Sequence, residues 1–521
     1  MVTTYSSIAD EIKNISWKYA SENIDDDLHT DILFMETSVS LLKKVAGISY
    51  SHGLLLYKGH KGRFYFPDEE AQHINKTLIY RLKNNLSWGE QLNKNIVIKS
   101  AELENIWKPY LNYHSFAMLS DDKIVYLYDI QLRKHYELYQ YGWIPEILQD
   151  TEYGIDYWIT SIARKYNSDF TQKDILTLLP DTLSHTVYYK HDRALLSLIQ
   201  RILANKEVKM IFSLPPKYIR TSLPYHINSS IRQLVNHYGY LGYHGYDERR
   251  PYDFNYYLNL IKRYVENKDE LATFTKRLYS PRTPSILWEK LAIDEKRLLH
   301  IYHNWGMTKS RRRMAQLRNF YFLDMLIEEI AFRHQIPEDY IRFMTPAEVK
   351  KLLLHHILPP NIDKRSSSCL CYLNERTTYI CNGDYQDEIF NTLSSLTETP
   401  VVLRGSIACG GFQIGKACLI ERKSDFFNEK VGNNTILVTR EADPDIFCIF
   451  EKIKAIVTDQ GGITCHVASL AREYGIPCIV GTRFATEKIA HGDTIEVDAI
   501  HGSVRILELS LIHISEPTRR S

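Results

Sequence analysis

The chain changes its grammar near residue 401, and that change limits the possible folds more than any single residue does. From about Val401 to Leu507, short β-rich runs such as Thr435-Ile-Leu-Val-Thr439, Ala455-Ile-Val-Thr458, Cys478-Ile-Val480 and Thr494-Ile-Glu-Val497 alternate with helical stretches and glycine turns. Eleven of the 23 glycines fall between Gly405 and Gly502, so this part reads as an α/β or β/α sandwich rather than a bundle. The text before it obeys another habit. All seven Trp lie between Trp17 and Trp305, while all eight Cys lie between Cys369 and Cys478, and two units of different composition share one chain.

Residues 1–358 are Tyr-rich, poor in glycine and mainly helical in pattern. The clearest helix is 310–334, where Leu317, Phe320, Leu323, Ile327 and Ile330 recur at spacings of three and four and Gln335-Ile-Pro337 stops the run. Thr345-Pro-Ala-Glu348 predicts a capping box with Thr at the N-cap, Pro at the first helical position and Glu reaching back to the cap amide. Residues 359–400 read as a connector holding a short hairpin, Cys369 to Cys381, and one further helix. Residues 509–521 continue neither pattern and are set outside the fold.

A chain of 521 residues with 44% apolar and 24% charged content is a globular protein of several domains, which excludes disordered and disulfide-scaffold classes. Lys plus Arg number 64 against 63 Asp plus Glu, so no global charge steers the protein to nucleic acid or to an anionic membrane. The start has no basic region followed by an apolar one, and no apolar run approaches the ~18 to 20 residues of a spanning helix. The expected compartment is the cytoplasm, with reduced thiols. Cys369-Leu-Cys371 with Cys381 lacks a CxxC pair or matching His spacing, and His300-x-x-His303 lacks carboxylate partners, so no metal site is assigned.

The chemistry concentrates in Thr458-Asp-Gln-Gly-Gly-Ile-Thr-Cys-His-Val-Ala-Ser-Leu-Ala-Arg-Glu-Tyr-Gly-Ile-Pro477. A strand ends at Thr458, Gly461 and Gly462 permit a tight backbone path, and Thr464 is placed to cap a helix starting near Cys465. Gly475 is its C-cap and Pro477 stops it. His466 therefore lies on the first turn of a short helix, where free amides and the positive end of the dipole favour a phosphoryl group and keep the imidazole neutral and nucleophilic. Arg472 adds charge from the far side of the turn. A lone histidine at a helix start is ordinarily a satisfied structural residue, and only its surroundings change that reading.

Those surroundings resemble the phosphohistidine site of the PEP-utilising enzyme mobile domain, the swivelling domain of phosphoenolpyruvate synthase, pyruvate phosphate dikinase and rifampin phosphotransferase. Leu403-Arg-Gly405, Gly410-Gly411, Leu437-Val-Thr439, Ala442-Asp-Pro-Asp445, His491-Gly-Asp493 and Ile495-Glu-Val-Asp498 extend the likeness over about 401–508. Val467 stands for the usual Ala and Ser469 for the usual aliphatic residue. The resemblance implies a multidomain chain: a mainly α-helical N-terminal part, then a swivelling β/α phosphohistidine domain with His466 as the catalytic nucleophile, supported by Gly461, Gly462, Thr464, Cys465 and Arg472. It also implies a phosphoryl donor, ATP with Mg, bound by an ATP-grasp domain. No glycine-rich segment of that kind is visible, since His237-Tyr-Gly-Tyr-Leu-Gly-Tyr-His-Gly-Tyr246 lacks the P-loop Lys and Ser or Thr, so a separate nucleotide-binding subunit is the expected partner. The preceding residues resemble, more weakly, the helical central domain of rifampin-phosphotransferase-like proteins. That makes Tyr238, His244 and Asp247 candidates for a small-molecule acceptor site, against the alternative of a turn packed by tyrosines. A non-catalytic docking or regulatory descendant of the family is the competing functional reading.

Overall fold

The computed structural model describes residues 5–508 apart from 25–26, 59–60, 112, 114, 150–153, 169–186, 245–247, 250, 279–286, 376, 382–388, 390–401, 421–434, 441–451 and 463–464. The tail at 509–521 thus lies outside the described residues. The molecule is mostly helical, with a β-rich C-terminal region.

The N-terminal part is not helical throughout. Strands β1 (Trp17–Ile24), β2 (His52–Lys58) and β3 (Lys61–Pro67) precede the helices, and a two-residue ribbon, β4 (Tyr243–His244) with β5 (Glu248–Arg249), lies among them. After the helices, β6 (Ser368–Asn374) and β7 (Thr378–Cys381) return to complete a five-stranded antiparallel sheet in the order β1-β3-β2-β6-β7. The hairpin expected inside the 359–400 connector therefore exists, but β6 pairs with β2 from His52↔Asn374 to Lys58↔Ser368 and belongs to the N-terminal sheet. Alternation along β2 explains why the sheet is buried on both sides. Leu54 and Leu56 face a small core with Ile8, Ile12 and Trp17, while Leu55 and Tyr57 face the main helical core.

The helix expected at 310–334 begins earlier, at Ile293, and runs 42 residues to His334. Glu295 accepts from the Ala292 amide at 2.9 Å at its start, and Gln335, at φ 54°, turns the chain out of it. The Thr345 capping box forms as predicted, with Glu348 N donating to Thr345 Oγ1 at 3.2 Å and Thr345 N to Glu348 Oε2 at 2.9 Å. Two apolar lobes use this helix. Its Leu298, Trp305, Phe322 and Leu326 join the main core, while Met314 and Leu317 join a second lobe built from Val187–Ala204, Tyr225–Tyr238 and Phe254–Glu266.

A polar chain threads the main core. Trp107 Nε1 donates to Asn319 Oδ1 at 2.9 Å, Asn319 Nδ2 donates to Gln131 Oε1 at 2.9 Å, and Gln316 Nε2 lies 3.2 Å from His135 Nε2. Burial, helped by the nearby charges of Arg312 and His29, pushes His135 down to about 3, so the ring is neutral in the folded protein. Its folded pKa lies below the ordinary 6.5, so the stability it contributes is complete above 6.5 and is lost as pH falls from there towards 3. One unit below the unfolded pKa the expected loss is about 1.4 kcal/mol. Urea titrations at either side of that value should show the loss in the wild type and a smaller one in His135→Gln. An identical pH slope in both proteins would contradict a neutral buried ring.

The C-terminal region forms an eight-stranded sheet from β8 (Val402–Arg404), β9 (Ser406–Cys409), β10 (Phe412–Ile420), β11 (Thr435–Thr439), β12 (Ile453–Thr458), β13 (Cys478–Val480), β14 (Thr494–Asp498) and β15 (Ser503–Glu508). The order is β8-β15-β14-β10-β11-β12-β13-β9. The central strands β10 to β13 are parallel, and antiparallel strands close both ends. Parallel strands buried on both faces should read as continuous apolar runs, as Thr435–Thr439 and Ile453–Thr458 do. One face packs Ile456 and Cys478 under the His466–Tyr474 helix, and the other packs Ile436 and Val457 under Ala485 and Ile489.

Candidate functional site

The segment that the sequence singled out leaves the C-terminal end of β12, where ligands collect in open parallel sheets. Its first residue after the strand is Asp459, 6% exposed. The Asp459 carboxylate accepts from Thr482 Oγ1 at 2.9 Å, from Thr486 N at 3.0 Å, and from Ala485 N and Thr486 Oγ1. One side chain thereby caps the Ala485–Lys488 turn and ties two loops together. Backbone bonds from Thr482 N to Thr458 O at 2.9 Å and from Arg483 N to Asp459 O at 3.0 Å tie them again. Sequence reasoning did not assign Asp459; the available signal was an acidic residue directly after an apolar strand, where burial demands several donors.

Gly461 then adopts φ +100°, and a Cβ there would come within 3.1 Å of Cys465 Sγ. Glycine is required for both reasons. Cys465 holds the N-cap position in extended conformation, with its amide donating to Gly462 O at 2.9 Å. The helix His466–Tyr474 follows, and Gly475 at φ +64° ends it, with Ile476 N donating to Ala471 O at 2.8 Å. That pairing is a Schellman closure, which satisfies the terminal carbonyls. His466 is thus the first helical residue, as the sequence implied; its side chain and all of Thr464 lie outside the described residues. Gly461 and Gly462 are exposed beside this helix start.

Arg472, expected to add charge from the far side of the turn, makes a backbone contact within the domain. Its Nη1 donates to Ala408 O at 2.9 Å, fastening the helix to β9. Val467 is 1% exposed in the core beneath the helix, beside Ala468 and Ala471, so its extra bulk is taken up by packing and not displayed at the helix start. The seven described cysteines are free thiols, and burial pushes Cys478, near Cys465 and Cys409, well up. Among the described residues no group of three or more His, Cys, Asp or Glu is arranged to hold a metal ion, and no helix is long and apolar enough to cross a membrane.

Of the acceptor candidates, Tyr238 packs in the second helical lobe. Tyr238 ends the Tyr225–Tyr238 helix with its ring 5.3 Å from that of His191, and burial raises its hydroxyl pKa. The His244 side chain and Asp247 lie outside the described residues. The C-terminal region touches the N-terminal sheet through Arg63 Nη2 and Glu487 Oε1 at 3.0 Å and through the rings of Tyr19 and Phe484 at 5.4 Å.

This strand–loop–helix, with a histidine opening the helix, lies inside the stretch that comparison with known proteins picks out. Residues 431–502 match the family model described as PEP-utilising enzyme, mobile domain. The chain is 41% identical over 107 residues to phosphoenolpyruvate synthase of Pyrococcus furiosus, covering 20% of this chain and 13% of that one. It is 29% identical over 170 residues to a probable phosphoenolpyruvate synthase of Archaeoglobus fulgidus, covering 31% and 22%. It is also 39% identical over 106 residues to the uncharacterized phosphotransferase YvkC of Bacillus subtilis, covering 20% and 12%. The likeness therefore spans a small part of each relative and is centred on the C-terminal region.

Proposed function

We propose that this chain is the carrier component of a phosphoenolpyruvate-synthase-like or dikinase-like phosphotransferase working in the cytoplasm. His466 attacks phosphorus in line, holds the phosphoryl group as phosphohistidine, and passes it to a small-molecule acceptor held by the helical part. Splitting one transfer into two steps lets donor and acceptor occupy separate stations, with the C-terminal domain swinging between them. ATP, with Mg, is the donor, bound on a separate nucleotide-binding subunit.

The observation that carries this reading is the placement of His466 at the first turn of a nine-residue helix, immediately after a loop fixed by buried Asp459. Free amides at that turn stabilise the transferred oxyanions, and the helix dipole disfavours the imidazolium that could not attack. The test supplies β-labelled ATP and an extract of the source organism to the purified chain. Acid-labile, base-stable label should appear on the protein and be chased off by the acceptor; protein that stays unlabelled in every extract would argue for a docking role instead.

A further inference from the structure

In the second helical lobe an acid–histidine pair looks into a ring of tyrosines. His191, on the Val187–Ala204 helix, is 5% exposed, and its Nδ1 stands 2.8 Å from Asp192 Oδ1. An ionised carboxylate only accepts, so Nδ1 carries a proton, and in the neutral ring Nε2 then keeps a bare lone pair. That Nε2 is buried and, among the described residues, has no hydrogen-bond partner. Nor has the hydroxyl of Tyr257, which is fully buried. The two belong to one aromatic box, since the rings of Tyr238, Tyr257 and Tyr252 lie 5.3, 5.7 and 6.3 Å from the imidazole, and Tyr256 stacks on Tyr252 at 3.9 Å and 2°. Burial raises the Tyr257 hydroxyl far above its ordinary value, which keeps it a proton donor.

Packing alone does not explain the arrangement. An unpaired buried polar group costs about 1 to 3 kcal/mol, and this box contains two, a lone-pair acceptor and an O–H donor. A hydroxyl has the donor that Nε2 needs and the acceptor that the tyrosine O–H needs. The flat tyrosine walls suit a planar body attached to that hydroxyl.

We propose that this box is the acceptor station of the phosphotransfer reaction, and that it takes a planar, hydroxyl-bearing small molecule such as a phenol. The proposal rests on the carrier reading of His466. In the transfer step the acceptor oxygen attacks phosphorus, the P–N bond of the phosphohistidine breaks with its electron pair returning to the carrier imidazole, and the acceptor proton moves to Nε2 of His191. The Asp192 carboxylate then stabilises the imidazolium, and as its side chain is 20% exposed it offers the proton a way to water.

Binding of 1-naphthol and catechol by the full chain, followed by calorimetry, tests this in wild type, His191→Gln and Tyr257→Phe. At least one probe should bind the wild type, and each variant should weaken it by about tenfold, the size of one lost buried hydrogen bond. Thermal unfolding should show both variants folded, and His466 should take up label in both as in the wild type. Failure of both probes to bind, or variants that bind as tightly as wild type, would overturn the acceptor station. If label on His466 is absent while probe binding still depends on His191 and Tyr257, the carrier reading falls and the binding box stands.

Discussion

Asp459→Ala should cost the C-terminal domain about 3 to 5 kcal/mol, the largest stability change expected from one substitution in this region. The carboxylate receives the amides of Ala485 and Thr486 and the hydroxyls of Thr482 and Thr486. Alanine leaves the buried Ala485 N–H, the part-buried Thr486 N–H and the Thr486 hydroxyl without their acceptor, while Thr482 Oγ1 keeps Thr458 O at 2.9 Å; the cost is about 1 to 3 kcal/mol for each group that water cannot reach, with overlap because they share one site. Asp459→Asn keeps an acceptor oxygen but adds an amide that needs partners of its own, so about half the loss is expected. Urea unfolding followed by hydrogen exchange on β12 would read the effect in the domain concerned. The functional consequence follows from the same bonds. Asp459 sits between the strand end and Gly461, so loosening it frees the path that delivers His466, and label uptake should fall even under conditions where the variant is folded. A wild-type urea midpoint for Asp459→Ala would show that the loop is held by its backbone bonds alone.

The parts legible in the sequence are those whose cause is local. The capping box at Thr345, the glycine turn at Gly461 and the helix stop at Gly475 each depend on residues within a few positions of one another, and each forms where the text places it. The N-terminal sheet was not legible for the opposite reason. Leu54 to Tyr57 is a continuous apolar run that fits a buried strand or a buried helix turn equally well, and its decisive partner, the Cys369–Leu373 stretch, lies more than 300 residues away. The first turns of the Ile293–His334 helix carry the same one-sided period, with Leu298, Ile301, Tyr302 and Trp305 at spacings of three and four, but Gly306 interrupts the text between that stretch and 310–334 and makes the two read as separate. In the site, the spacing of Arg472 from His466 is set by the helix and can be read locally, whereas its bond to Ala408 depends on β9, more than 60 residues earlier. His191 carries no local motif: its meaning comes from tyrosines on two other helices and the turn between them.

The second large effect concerns His466 itself. His466→Ala should abolish phosphoryl uptake, since the proposed carrier chemistry rests on that imidazole, while the fold is expected to survive because the core beneath is made by Val467, Ala468, Leu470 and Ala471. Alanine has a high helix propensity, so the first turn should not be weakened by more than ~0.5 kcal/mol. Loss of label with an unchanged unfolding midpoint would separate chemistry from stability. Gly461→Ala should behave differently, because the added Cβ meets Cys465 at 3.1 Å and φ +100° is strained for alanine; reduced uptake together with a lower midpoint is expected there.

The most direct measurement is the position of the phosphoryl group. Wild-type chain labelled from β-labelled ATP in extract would be digested at alkaline pH, where phosphohistidine survives, and the labelled peptide identified by mass spectrometry. The account predicts one dominant labelled peptide, containing His466, and its disappearance in His466→Ala. Label on another residue, or equal label in the variant, would contradict it.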